Sequence, residues 1–132
     1  MNQNLYIRRD TCYKMVKKIL IVDDNFEDLN LMKSVLTHEG YDVSGATNGA
    51  KAMDLLNQRF DLILIDIQMP TLSGYDLMRL IREQIKRKSK IIYVSVIPKK
   101  QVDMNNIDGF IQKPFKTATF LKTIKSKIGG KK

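Results

Sequence analysis

Four stretches of this chain hold side chains able to do chemistry together. Asp23 and Asp24 follow the apolar run Ile19-Leu20-Ile21-Val22, and Asp66 follows Leu62-Ile63-Leu64-Ile65. Ser95 closes a run that begins at Ile91, and Lys113-Pro114 follows the short segment from Gly109 to Gln112. Ligands of open parallel sheets bind beyond the carboxyl ends of the strands, so these three carboxylates, one hydroxyl and one amine are expected on a single edge. Two carboxylates about 4 Å apart repel by roughly 4 kcal/mol at an effective dielectric near 20. Three together need cations. Asp23, Asp24 and Asp66 set against Lys113 leave a net −2, which one divalent ion would neutralise. Every candidate ligand is a hard oxygen, which favours Mg²⁺ with Mn²⁺ as the alternative, and there are too few of them to displace its whole water shell. An open ion beside an amine and a hydroxyl suits a phosphoryl group, with a carboxylate able to attack phosphorus.

Positioning these residues takes a particular scaffold. The apolar runs lack polar alternation, as strands do when both faces are buried, and they are separated by segments of helical periodicity. That alternation predicts a parallel sheet with helices on both faces. The expected strands are Lys18 to Val22, Asp42 to Ala46, Leu62 to Asp66, Ile91 to Val96 and Gly109 to Gln112, with the first, third and fourth central. Expected helices run from Phe26 to Glu39, Asn48 to Gln58, Ser73 to Lys86 and Lys116 to Ile128. Asn48 and Ser73 are N-cap residues, while Gly40 and Gly129 are helix stops. Only Ile97 to Asp108 separates the last two strands, which leaves room for one or two helical turns near Lys99 to Met104.

Length and composition set the outer bounds. The 132 residues, 43% hydrophobic and 28% charged, suit one soluble domain over residues 15–128, between an aperiodic, poorly ordered extension at 1–14 and a basic tail at 129–132. No apolar run nears the roughly eighteen residues that cross a bilayer, so no membrane span is expected. Arg8, Arg9, Asp10 and Lys14 interrupt any signal sequence, and the expected location is cytoplasmic. The single cysteine, Cys12, excludes an internal disulfide, and with His38 it cannot build a structural zinc site. The net charge of +9 is uneven: residues 1–78 hold 8 basic and 11 acidic side chains, residues 79–132 hold 15 and 3. Such a basic half is either a solvated surface or a site for an anionic partner.

Order and spacing of the chemical residues resemble the receiver domain of two-component response regulators over roughly Lys17 to Ile128. The matching pieces are Ile19 to Asn25, Asp66-Ile67-Gln68-Met69-Pro70 with Gly74, Ser95, and Lys113-Pro114-Phe115. Asp24 and Asp66 lie 42 positions apart, and Asp66 and Ser95 lie 29 apart. The resemblance implies a flavodoxin-like sheet of strand order 2-1-3-4-5. It makes Asp66 the phosphoacceptor, with Asp23, Asp24, Asp66 and the Gln68 carbonyl as Mg²⁺ ligands. Lys113 and Ser95 would contact phosphoryl oxygens, Ser95 and Phe110 would form the switch, and the Lys113-Pro114 peptide would be cis. It further implies a histidine kinase or phosphotransfer protein as donor and a downstream protein read through the fourth strand, fourth helix, fifth strand and last helix. A phosphorylation-dependent homodimer is a further implied partner. Such a protein is a signalling phosphoacceptor and not an enzyme in the ordinary sense. Two departures stand out: the segment from Ser95 to Lys113 is about four residues short, which predicts a stunted fourth helix, and branched Val96 takes a position where a small residue is common.

Other functions fit less well. Haloacid-dehalogenase-like phosphohydrolases need a second aspartate two residues after the nucleophile, where this chain has Gln68. A Rossmann protein needs a glycine-rich turn where Asp23-Asp24-Asn25 stands. A receiver used only for docking, without phosphorylation, is the alternative within the family. Nucleic-acid binding by the basic half is an added possibility that no helix-turn-helix motif supports.

Overall fold

The computed structural model describes residues 6–9, 12–86 and 88–128, with side chains from residue 16 onward. Across 6–15, all but the last residue of which belongs to the stretch without periodicity, β1 (Tyr6–Arg9) and β2 (Cys12–Met15) pair antiparallel, from Tyr6 opposite Met15 to Arg9 opposite Cys12. The register sets Ile7 against Lys14 and Arg8 against Tyr13, so no apolar face alternates and the hairpin leaves no mark in the pattern. The expected domain boundary at Lys14 therefore falls inside a strand. Residues 129–132 lie outside the described residues.

The main sheet holds β3 (Lys18–Val22), β4 (Asp42–Ala46), β5 (Leu62–Ile65), β6 (Lys90–Ser95) and β7 (Gly109–Gln112), all parallel. Their order, β4-β3-β5-β6-β7, is the expected 2-1-3-4-5. Alternate side chains of the three central strands enter opposite cores. Leu20, Val22, Ile63, Ile65, Ile91 and Tyr93 pack with Ala52, Leu77, Met78 and Ile81 on one side. Ile19, Ile21, Leu62, Leu64, Ile92 and Val94 pack with Leu29, Met32, Leu36, Phe120 and Ile124 on the other. Two buried faces explain why these strands are solid apolar runs.

The helices are α1 (Phe26–His38), α2 (Gly49–Asp54), α3 (Gly74–Gln84) and α4 (Thr117–Lys127). Asn25, Asn48 and Ser73 cap the first three, each side chain accepting from the amide three residues on. α2 is shorter than the sequence predicts, because beyond Asp54 the bonds tighten to i→i−3 at Leu55, Leu56 and Gln58. The stunted fourth helix is a single 3₁₀ turn, Lys99–Gln101, after Pro98.

Gly74 fixes the loop that follows β5. Its amide donates to the Ile67 carbonyl at 2.8 Å. A Cβ there would lie 2.4 Å from the Asp66 carbonyl oxygen and 2.7 Å from Ile67 Cα. Backbone atoms cannot yield as a flexible side-chain tip can, so Gly74→Ala must push α3 away from the Asp66 loop. The expected cost is about 1–3 kcal/mol, seen as a lower urea midpoint at unchanged m-value. A midpoint equal to wild type would show that the loop has room.

Candidate functional site: an acidic edge with a buried lysine

Each chemical residue is placed by a strand end. Asp23 extends β3, its amide donating to the Ala46 carbonyl at 3.1 Å. One carboxylate oxygen of Asp23 accepts from the Asn25 amide at 2.9 Å, a local turn that aspartate favours. The other accepts from Lys113 Nζ at 2.7 Å. This ion pair is nearly dry, with side-chain exposures of 1% for Asp23 and 9% for Lys113. Asp66 is 8% exposed, and its amide donates to the Val22 carbonyl at 2.9 Å. Asp24 is exposed, yet it, Asp23 and Asp66 each offer a carboxylate oxygen to one cluster, all within 4.8 Å of one another. The three expected carboxylates thus converge, and as hard oxygen donors of like charge they are suited to hold a divalent cation.

The remaining predicted residues divide. Ser95 is fully buried at the end of β6, with its Oγ accepting from the Ile97 amide at 3.3 Å and its carbonyl accepting from the Lys113 amide at 2.8 Å. The Ser95 hydroxyl proton is left to donate elsewhere. Gln68 is exposed, and its backbone amide hydrogen-bonds the Asp66 carboxylate. The Lys113-Pro114 peptide is cis, as the resemblance implies. Val96 is 58% exposed and borders a groove with Asp28, Leu31, Lys113, Pro114 and Phe115. Phe110 pairs in register with Tyr93 and packs, half-buried, against the Tyr93 core, apart from the acidic residues.

Two residues escaped the sequence reading. Lys113 Nζ also donates to Asp28 Oδ2 at 2.8 Å, so Asp28, in the first turn of α1, shares the lysine with Asp23. In sequence Asp28 reads as an ordinary helix-dipole acid; its place four residues after Asp24 is the only signal it gives. Gln112 Nε2 donates to the carbonyls of Ser95, Val96 and Lys113 at 3.2, 2.8 and 3.3 Å. It ties together the ends of β6 and β7, which carry Ser95 and Lys113.

Burial pushes the Asp66 carboxyl up to about 7; Lys113 and the Gln68 amide pull it down, while Asp23 and Asp24 raise it further. Burial alone would lower the Lys113 ammonium, but its hydrogen bonds to Asp23 and Asp28 and the charges of Asp23 and Asp66 hold it above the usual lysine value. The edge therefore lacks positive charge without a bound cation.

An open parallel sheet in this strand order, with acidic residues gathered at its carboxyl edge, defines the CheY-like class of α/β domains. The profile of the response regulator receiver domain matches residues 19–125, and the chain belongs to that family, the signalling receivers of two-component systems. It is 31% identical over 121 residues to the polar-differentiation response regulator DivK of Brucella anthropi, covering 87% of this chain and 98% of DivK. The response regulator TrrA of Thermotoga maritima, solved in complex with Mg²⁺-BeF, superposes with a TM-score of 0.76 at 30% identity over 84% of this chain and 98% of TrrA. A chain of the solved complex between the histidine kinase ThkA and TrrA matches with a TM-score of 0.76 at 31% identity, covering 86% of this chain and all of that one. No helix among the described residues is long and apolar enough to cross a membrane.

The raised Asp66 value fixes the sign of a pH effect on the metal-free protein. Below the unfolded carboxyl value near 4 both states hold the proton, and Asp66 contributes no difference. As pH rises from there to about 7 the unfolded chain ionises first, so the folded state loses stability, by an amount on the order of a few kcal/mol in full above pH 7. Asp66→Asn removes this term. In denaturant titrations without divalent ions, the variant should equal wild type near pH 4 and be more stable above pH 7; a gap that stays constant with pH would contradict the assignment.

Proposed function

We propose that this receiver accepts a phosphoryl group on Asp66 from a phosphohistidine of a sensor kinase or phosphotransfer protein, in a Mg²⁺-dependent reaction, and signals by protein contact. The observation that carries this reading is the convergence of Asp23, Asp24 and Asp66 within 4.8 Å beside buried Lys113. The donor set fits a hard divalent ion, which Asp23, Asp24 and Asp66 would hold together with the Gln68 carbonyl. When bound, Mg²⁺ supplies neutralisation of the phosphoryl oxygens and of the crowded carboxylates. The Asp66 carboxylate attacks phosphorus as the bond to the donor imidazole nitrogen breaks, and that nitrogen leaves with the bonding electrons. Lys113 spends two of its three N–H groups on Asp23 and Asp28 and keeps the third for a phosphoryl oxygen. Ser95, with an uncommitted hydroxyl proton, donates to a second oxygen.

The transferred group adds about two negative charges to the edge. Ser95 is drawn toward it, and its movement leaves space for Phe110, which packs against the same core as Met104 and Ile107 from the segment after the 3₁₀ turn. That segment is held by the Asp103 amide donating to the Tyr75 hydroxyl at 3.2 Å and by Arg82 donating to the Asn106 carbonyl at 2.8 Å. The face built from β6, this segment, β7 and α4 is where a downstream partner, or a second phosphorylated copy, would read the change. The ThkA–TrrA complex supports a kinase as the donor, and the Mg²⁺-BeF form of TrrA supports the metal.

Incubation with acetyl phosphate and Mg²⁺, read by intact mass, should add one phosphoryl group to wild type and none to Asp66→Asn or to wild type in chelator. Asp28→Ala, which frees Lys113 from one partner, should slow labelling roughly tenfold or less, because Asp23 still holds the amine. Absence of labelling in wild type with Mg²⁺ present would favour a receiver that works only by docking.

A further inference from the structure

A parallel sheet gathers the starts of all its strands at one pole, here the one opposite Asp23, Asp66 and Ser95. Returning helices end at the same pole. α3 leads through exposed Lys86 and Lys88 into Lys90 at the start of β6. α4 ends at Lys127, whose Cε would lie 3.2 Å from a Cβ on Gly109, the first residue of β7. Between α3 and the loop before β7 opens a cavity of about 620 Å³ lined by Arg82, Lys88, Ser89, Lys90, Asn106, Ile107 and Asp108.

Around the cavity basic side chains outnumber acidic ones, and of the other carboxylates at this pole, Glu39, Asp42 and Asp61, Glu39 is paired with Lys125. Arg82 is committed to the carbonyls of Ser89 and Asn106, and Asp108, the one carboxylate in the lining, is shared by Arg82 at 3.4 Å and the Ile91 amide at 2.8 Å. Lys86, Lys88, Lys90 and Lys127 make no ion pair among the described residues. The segments before Lys18 and after Ile128 join the domain at this same pole and carry Arg8, Arg9, Lys14, Lys17, Lys131 and Lys132 in sequence.

Three features select the partner. The positive charge is spread over several elements, which suits a long polyanion better than a compact acidic patch on a protein. Among the described residues the large apolar side chains most exposed to solvent, Phe26, Leu31 and Val96, lie in the first half of α1 and beyond the end of β6, so no described side chain at the basic pole offers an anchor into lipid. No aromatic residue lines the cavity, so unpaired bases have no stacking platform there. We propose that this pole binds the phosphate backbone of double-stranded nucleic acid, independent of sequence, with Lys88, Lys90 and Lys127 among the contacts. The acidic edge faces the other way and stays open to a phosphodonor while the duplex is bound.

Fluorescence anisotropy of the full chain with a short mixed-sequence DNA duplex tests this. Four lysines on phosphates predict a slope of log affinity against log salt of about −3 to −4, hence roughly a hundredfold loss between 50 and 200 mM salt. The variant Lys88→Gln/Lys90→Gln/Lys127→Gln, checked for its fold by circular dichroism, should bind at least about tenfold more weakly at low salt and flatten the slope by about 3. No duplex binding at the lowest salt would overturn the proposal. So would equal binding by the variant, or binding to single strands, anionic vesicles or polyglutamate as tight as to the duplex. None of these results bears on labelling of Asp66, which reads the opposite pole.

Discussion

The acidic edge exists because a dry ion pair holds it together. Asp23 and Lys113 meet at 2.7 Å from strands that are not neighbours in the sheet, and both are almost wholly buried. A buried charge left alone costs several kcal/mol, so removing either partner of the pair is costly. Lys113 is shared with Asp28, and Asp66 and Asp24 bring further negative charge to the same place. One amine among four carboxylates cannot balance them, which is why burial and repulsion keep the proton on Asp66 up to about pH 7. A site in that condition gains from any cation that enters, and the proposed use of a metal rests on charge before any reaction is considered.

Packing keeps the charges in register. The three central strands are buried on both faces, so each strand end has little freedom, and the acidic residues inherit that rigidity. Gly74 lets α3 approach the backbone of the Asp66 loop, and Gln112 fastens the ends of β6 and β7 through three carbonyls. Rigidity at the edge contrasts with the segment after β6, where a 3₁₀ turn replaces a full helix and a few hydrogen bonds hold the chain. A change of charge at Asp66, passed on through Ser95, would thus be felt where the structure is least tied down.

The three central strands were legible in the sequence because burial on both faces leaves an unbroken apolar run; β3 and the two edge strands β4 and β7 agree with expectation at both ends, while β5 differs by one residue at its end and β6 by one residue at each end. The caps of α2 and α3 were legible for a similar reason, since Asn48 and Ser73 have a local role that needs no tertiary information, whereas Asn25 was seen as the cap of α1 only in the structure. The early end of α2 was not, because the tightening after Asp54 leaves the pattern of apolar residues unchanged. Nor was the hairpin before β3, whose register mixes apolar and charged partners. At the acidic edge, Asp23, Asp24, Asp66 and Lys113 follow strand ends and Ser95 closes one, so all five could be read. Asp28 and Gln112 act across the fold, through contacts 85 and 17 positions away in the chain, and local pattern does not register such distances.

The most direct test is whether Mg²⁺ stabilises the folded protein through these carboxylates. In denaturant titrations at pH 7.5, Mg²⁺ at about a hundred times its dissociation constant should raise the unfolding free energy of wild type by roughly 3 kcal/mol. Asp23→Asn, Asp24→Asn and Asp66→Asn should each lose most of that gain, and a monovalent salt at equal ionic strength should not reproduce it. Wild-type stability unchanged by Mg²⁺, or raised equally in all three variants, would contradict the account.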